Sequence, residues 1–360
     1  MAGTSQAPLR VGLLGYGLAG RVFHAPLIAA TPGLRLHAVV TRDPERRQQV
    51  RHDHPDARLV EDVDVLWRTP DALDLVVVAT PNRLHVPMAR AAIAAGIAVV
   101  VDKPLAATGA EARQVVDEAA DRGVPLTVFQ NRRWDGDFLT ARRLVEGGEL
   151  GRVTRFESRF ERWRPEIKPG WREKAGADEA GGALFDLGAH LVDQAVQLFG
   201  PVRSVYAEVD RRRPGAEVDD DAFVALTHAD GVRSHLWMSA VTPQLGPRLR
   251  VLGDQAGYTT YGLDPQEAAL RDGGRPGTPG WGEVSPDRYG LLGVDGDLRR
   301  VPTEPGRYES FYAQVAASLR GDGPMPVDAR DAVDTVTLIE LAHRSSVEGV
   351  VLPVPPTPAR

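Results

Sequence analysis

Lys103 is one of only three lysines in a chain that carries forty arginines. It closes the run Val99-Val100-Val101-Asp102-Lys103-Pro104. Either residue type serves as a solvated cation, so an ordinary surface position is the competing reading. A site that needs a compact amine with a movable proton cannot use arginine, which never deprotonates in a protein. The place of Lys103 at the end of an apolar run favours such a site. Further along, Asp186 and His190 stand four apart in Gly182-Ala183-Leu184-Phe185-Asp186-Leu187-Gly188-Ala189-His190. On a helix that spacing puts both on one face. Histidine is the side chain whose ordinary pKa suits proton transfer near neutrality, and a nearby carboxylate would favour its charged form and orient it. Asp193, Gln194 and Gln197 prolong the polar stripe, so a solvated helix face is the alternative. Apolar flanks, and Gly188 clearing space between the pair, weigh against it.

These groups need a scaffold, and the first third of the chain describes one. Residues 9–14 read as a buried strand, followed by Gly15-Tyr16-Gly17-Leu18-Ala19-Gly20 and a helix to about residue 30. In strand, G-x-G-x-x-G, helix, the first glycine permits the tight turn. The second lets backbone approach a pyrophosphate, and the third lets helix and strand pack closely. Free N–H groups and the helix dipole then hold phosphates. Strands are expected at 34–41, 73–79, 97–102 and 125–130, with helices at 44–51, 83–95 and 109–121. The alternation predicts a doubly wound parallel α/β sheet, a Rossmann domain over residues 1–130. Ligands on such sheets bind beyond the carboxyl ends of the strands. Thr41-Arg42, Thr80-Pro81-Asn82 and Asp102-Lys103-Pro104 all fall there.

The end of the second strand discriminates NAD from NADP. An acid there binds ribose hydroxyls and repels a 2′-phosphate, whereas an arginine attracts that phosphate. Arg42 comes first, so NADP is favoured, with NAD possible. Asp43 opposes this unless Asp43-Pro44 opens the next helix as N-cap and first-turn proline.

After Gln130-Asn131-Arg132-Arg133-Trp134-Asp135 the alternation stops. A helix is expected at 138–146, then period-2 segments at 153–163, 202–212, 222–228 and 232–241, interrupted by a helix at 183–199. Helices at 307–319 and 329–347 follow, on the sheet's face or back against the first domain. This predicts an α+β second domain over 131–360 built on a large, open, mainly antiparallel sheet. A sheet face left bare by its own helices calls for a partner, so a homodimer or homotetramer through this sheet is expected.

Bulk composition narrows the classes. At 360 residues two domains are expected. The net charge of −6 gives no support for nucleic-acid binding. Zero cysteines exclude disulfides and thiolate chemistry and fit a reducing cytoplasm. The apolar runs are too short to span a bilayer, so no membrane association is expected. The nine histidines show no metal-ligand spacing, and no metal is expected.

Taken together, Gly15-Tyr16-Gly17-Leu18-Ala19-Gly20, Thr80-Pro81-Asn82 with His85, Asp102-Lys103-Pro104, Trp171-Arg172 and Asp186-x-Gly188-x-His190 resemble the glucose–fructose oxidoreductase/inositol dehydrogenase family, Gfo/Idh/MocA. The resemblance covers nearly the whole chain in order and spacing. Residues 130–135 with Arg162-x-Arg164-Pro165 are most similar to the branch that contains NADP-dependent scyllo-inositol dehydrogenase. The family usually has Glu where this chain has Asp102, one methylene shorter.

The resemblance implies a nicotinamide-dependent dehydrogenase of a cyclic polyol or sugar. It makes Lys103, Asp186 and His190 catalytic. His190 would exchange the hydroxyl proton, Lys103 would stabilise the reacting oxygen, and Asp186 would orient the imidazole or hold a substrate hydroxyl. It assigns the cofactor to Gly15, Tyr16, Gly17, Leu18, Ala19, Gly20, Thr41, Arg42, Thr80, Pro81, Asn82, His85, Asp102, Lys103, Pro104, Asn131, Trp171 and Arg172. Substrate contacts would come from Lys103, Asn131, Arg132, Trp134, Arg162, Arg164, Asp186 and His190, and Tyr289, in a loop, is a further candidate outside the resemblance. The alternation around residues 160–164 is equally the pattern of two faces of one strand. A cofactor-binding sensor without turnover, or an epimerase, dehydratase or glycosidase that retains its cofactor, stays open as the alternative.

Overall fold

The computed structural model describes residues 7–69, 72–167 and 180–355. Its first layer is a six-stranded parallel sheet of β1 (Leu9–Leu14), β2 (Leu34–Val40), β3 (Arg58–Val60), β4 (Leu75–Val78), β5 (Ala98–Asp102) and β6 (Leu126–Phe129). The strand order is β3-β2-β1-β4-β5-β6, that of a dinucleotide-binding fold. Continuous apolar runs make these strands because both sheet faces are covered. Every residue of β4 is buried. The covering helices are α1 (Ala25–Ala30), α2 (Pro44–Asp53), α3 (Asp64–Trp67), α4 (His85–Ala94) and α5 (Gly109–Asp121). The sequence reading missed β3, whose three residues are too short and too polar to register as a strand.

α6 (Gly136–Glu146) leads into a second, nine-stranded sheet. Its strands are β7 (Val153–Glu161), β8 (Val202–Asp210), β9 (Asp221–His228), β10 (Arg233–Ser239), β11 (Leu249–Gly253), β12 (Gly257–Thr260), β13 (Gly290–Val294), β14 (Asp297–Val301) and β15 (Leu352–Pro353). The order is β14-β13-β12-β11-β7-β10-β9-β8-β15. All pairings are antiparallel except β7 with β10. β9 alternates half-buried and buried residues along its length, the signature of a sheet covered on one face. α7 (Ala189–Phe199) lies on the covered face, in a core with Phe156, Leu236 and Met238.

The expected helix at 183–199 is not uniform. A wide π-type turn, Leu184–Gly188, precedes α7. After α8 (Gln266–Arg271), the two late helices tie the layers together. α9 (Glu309–Leu319) contributes Phe311, Tyr312 and Val315 to the core of Val11, Leu13 and Val77. α10 (Ala329–Glu348) packs Val333 among the parallel-sheet residues and Ile339 among those of the second sheet. Among the described residues, no helix is long and apolar enough to cross a membrane.

Candidate active site

The glycine loop follows β1. Gly15 has φ +95°, and a Cβ there would stand 2.6 Å from the Ala79 carbonyl oxygen. A Cβ on Gly20 would overlap the Gly15 carbonyl, so the loop closes only without side chains at both positions. Gly17 differs: the nearest atom to a Cβ there is Arg46 Nη1 at 3.9 Å, leaving its backbone open. It faces a hollow of about 230 Å³ that is also lined by Leu18, Ala19, Arg46, Thr80, Pro81, Asn82 and Pro104. Thr80 Oγ1 is buried there without a partner. An open glycine backbone and an orphaned hydroxyl at the carboxyl ends of parallel strands fit a dinucleotide.

Asp43 is the N-cap of α2. Its carboxylate accepts from Arg46 N at 3.0 Å and Pro44 follows. That duty answers the sequence objection to a phosphate at this end. Arg42 is exposed, donates to the Glu61 carbonyl at 3.2 Å, and does not line the hollow. Arg46, which was not among the expected contacts, does line it. Thr41 and Tyr16 are buried, and the Tyr16 hydroxyl donates to Asp53 at 3.1 Å. The Tyr16 ring is therefore a core group, and only its backbone belongs to the loop.

His85 also departs from the expected contact role. Its ring nitrogens meet the carbonyls of Pro104 at 2.7 Å and Thr80 at 2.9 Å, so the ring braces the ends of β4 and β5 from behind. Burial lowers its pKa despite the opposing Asp102 charge. Trp171 and Arg172 lie outside the described residues.

A second hollow of about 580 Å³ adjoins the first. Asp102, Lys103, Gly182 and Asp186 line both, so the two meet at the lysine. Lys103 Nζ donates to the Asp186 carbonyl at 2.5 Å and to its carboxylate at 3.1 Å. His190 lines the same hollow. Its ring is buried, and Nδ1 has no partner. Burial, reinforced by the charges of Lys103 and Arg132, pulls its pKa well below the ordinary 6.5. Asp186 thus bonds the amine, and no hydrogen bond joins it to the imidazole. The four-residue spacing that suggested an Asp186–His190 pair assumes a regular α-helix, whereas Asp186 sits in the π-type turn.

The shortened carboxylate of Asp102 accepts from the backbone N–H of Lys103 at 2.9 Å and stands 3.8 Å from His24 Nε2. That separation is electrostatic contact, too long for a hydrogen bond. Burial pushes the Asp102 carboxyl up, but neighbouring His24, His85 and Lys103 outweigh it and hold it below the usual range. His24 is held in turn by the Tyr312 hydroxyl at 2.6 Å from Nδ1. No sequence spacing announced His24, since the turn before α1 brings it to Asp102, and α9 to Tyr312, only in the folded chain.

Of the expected substrate contacts, Asn131, Arg132, Arg162 and Arg164 line the larger hollow. Trp134 does not: its indole is buried edge-on against Phe311 at 5.7 Å, as core. Tyr289 does not line it either. It precedes β13 near the far edge of the second sheet, with its carbonyl facing Arg300. The sequence reading missed Arg213, Asp219, Asp220, Glu267 and Arg271, which reach the hollow from two stretches, the loop between β8 and β9 and α8.

This is the architecture of a dinucleotide-dependent oxidoreductase, with the cofactor's hollow opening onto a second one through a lysine. Residues 9–130 match the oxidoreductase family, NAD-binding Rossmann fold, and residues 138–259 match the GFO/IDH/MocA C-terminal domain. The chain is 37% identical to scyllo-inositol 2-dehydrogenase (NADP(+)) IolW of Bacillus subtilis, over 94% of each chain. It is 41% identical to oxidoreductase YdgJ of Escherichia coli, over 94% of this chain and 96% of that one. The solved structure of oxidoreductase yvaA from Bacillus subtilis superimposes with a TM-score of 0.92 at 36% identity, covering 97% of this chain and 99% of that one. The chain belongs to the GFO/IDH/MocA family and is an NAD(P)-dependent dehydrogenase.

Proposed function

We propose that the protein moves a hydride between NADP(H) and a secondary alcohol or ketone of a cyclic polyol or sugar, with a scyllo-inositol-like ring as the reference substrate. The carrying observation is that Lys103 and His190 line one hollow, which meets the glycine-loop hollow at Lys103. When bound, the nicotinamide supplies the hydride acceptor. His190, kept neutral by burial, accepts the hydroxyl proton at a ring nitrogen as the carbon is oxidised. Lys103 Nζ hydrogen-bonds the reacting oxygen and stabilises its developing charge. Asp186 holds the amine in line, and Thr80, Asn82 and the backbone at Gly17 bind the cofactor. Ketone reduction runs the same steps backwards.

Arg46, which lines the cofactor hollow, supports NADP over NAD, as does the NADP dependence named for the Bacillus relative. On this reading residues 1–130 form the cofactor domain and 131–360 the substrate and oligomer domain. The half-buried outer sheet face, where Phe223 and Trp237 rings lie 5.2 Å apart, supports a homodimer or homotetramer. The absence of cysteine supports a cytoplasmic setting.

The test is a panel of inositols, aldoses and keto-sugars with both cofactors, followed by absorbance, in wild type, His190→Ala and Lys103→Met. Each substitution is expected to lower kcat by about a hundredfold, the scale of acid–base groups. Near-normal turnover in either variant removes that residue from the mechanism.

A further inference from the structure

Among the described residues, five carboxylates line the larger hollow, and each has a partner. Asp186 holds Lys103, Asp220 holds Arg213, and Glu267 is shared by Arg132 at 2.6 Å and Arg271 at 2.8 Å. Asp219 caps the start of the π-type turn, accepting from Leu184 N at 2.7 Å, and Asp102 faces His24. Among the described residues, six cations line the same space. Among the described residues, no carboxylate pairs with the guanidinium groups of Arg162 and Arg164.

Both are set on a fixed ledge. Arg162 N donates to the Ser239 carbonyl at 2.8 Å, Arg164 N to the Ala240 carbonyl at 2.7 Å, and Thr242 N returns a bond to the Arg162 carbonyl at 3.0 Å. Two residues apart in extended chain, they share one side, while the intervening Trp163 is 56% exposed. The Arg162 guanidinium lies over the Phe160 ring at 4.8 Å. The Arg132 guanidinium also lies over that ring, at 4.6 Å. Burial, then the charge of Arg164, drives the Arg162 pKa below its usual range, against the opposing charges of Asp186 and Glu267. Arg162 is half-buried and Arg164 is exposed at the rim. Two guanidinium groups held side by side on a rigid backbone are matched by a planar or tetrahedral oxyanion, which a guanidinium grips with two hydrogen bonds. A neutral polyol would leave the half-buried Arg162 without a counter-ion.

We propose that the substrate carries an anionic group, carboxylate or phosphate, held by Arg162 and Arg164 while its carbinol faces Lys103 and His190. This rests on the hydride-transfer reading of the same hollow. It extends that reading from polyols and sugars in general to sugar acids or sugar phosphates.

The experiment compares a hexuronate, a hexose 6-phosphate and neutral inositol, by turnover and by calorimetric binding, in wild type and in Arg162→Gln/Arg164→Gln. Wild type is expected to favour at least one anion over inositol. The carboxylate and phosphate arms report which anion is meant. The double substitution is expected to cut the anion-to-inositol ratio of kcat/KM by about tenfold to a hundredfold, the scale of a lost charge-assisted contact. Arg162→Lys/Arg164→Lys is expected to keep part of the preference, since charge remains and the fork is lost. A salt series on the wild type needs no variant: anion binding should weaken between about 0.05 and 0.5 M salt while inositol binding holds.

Inositol preferred by wild type, or a ratio unmoved by the substitutions, overturns the proposal while the hydride reading stands. Arginine-dependent anion binding without oxidation of any alcohol overturns the hydride reading and leaves the anion site.

Discussion

Cofactor choice is predicted to turn on Arg46 more than on Arg42. Arg46 reaches the open space over Gly17, where its Nη1 is the nearest atom at 3.9 Å. Its tie to Asp43 is loose at 3.8 Å, because that carboxylate is occupied capping α2. Arg42 is held away by the Glu61 carbonyl. A charge-assisted hydrogen bond is worth about 1.5–3 kcal/mol, and a group 49% exposed lies toward the lower end. Removing Arg46 should therefore cost about 1–2 kcal/mol of NADP affinity, or about five- to thirtyfold at 1.4 kcal/mol per decade. The assay is kcat/KM for NADP and for NAD with one saturating alcohol, in wild type, Arg46→Ala and Arg42→Ala. The NADP-to-NAD ratio should fall by that factor in Arg46→Ala and by less in Arg42→Ala. Equal losses with both cofactors, or a wild type that favours NAD, would refute the assignment of a 2′-phosphate to this corner.

Alcohol oxidation needs neutral His190, whose pKa is depressed, so kcat/KM for oxidation should stay level from neutrality to well below pH 6.5 before it falls. A break at or above pH 6.5 would contradict that. The buried ring also resists protonation only while folded, so stability should decline as pH drops below about 6.5, measured as Cm against pH. The loop glycines should separate fold from binding. Gly20→Ala should lower Tm by several degrees through its clash with the Gly15 carbonyl. Gly17→Val should fold yet lose cofactor binding in a fluorescence titration. Arg133 is buried between Asp193 and Asp331, so Arg133→Ala should destabilise by about 3–5 kcal/mol in denaturant unfolding.

The parallel layer was legible because its strands are buried on both faces and its turns carry glycine and Asp-Pro signals. The Asp43-Pro44 cap and α5 were readable from local chemistry alone. The second sheet was half legible: β9 and most of β10 alternate, whereas β11 to β14 are short, carry glycine in three of the four, and in β14 are charged at Arg299 and Arg300. Lys103, Asp186 and His190 stood out by residue type, but the bond between Lys103 and Asp186 did not. It depends on a π-type turn that periodicity cannot distinguish from a regular helix. Trp134 misled because an aromatic beside a motif reads alike whether it packs a core or faces a ligand, and Tyr289 because a loop aromatic carries no periodicity to place it. Arg46 was hidden by its place on α2, a helix that is polar almost all round, where one arginine looks like any other.

The proposed chemistry stands on one carbinol oxygen being shared by two side chains from different layers. A crystal structure with NADP and a bound, unreactive polyol analogue measures this directly. The account predicts that oxygen within about 3.2 Å of both Lys103 Nζ and a His190 ring nitrogen. A polyol seated with its reacting oxygen beyond reach of either group, both without a bridging water, would contradict it.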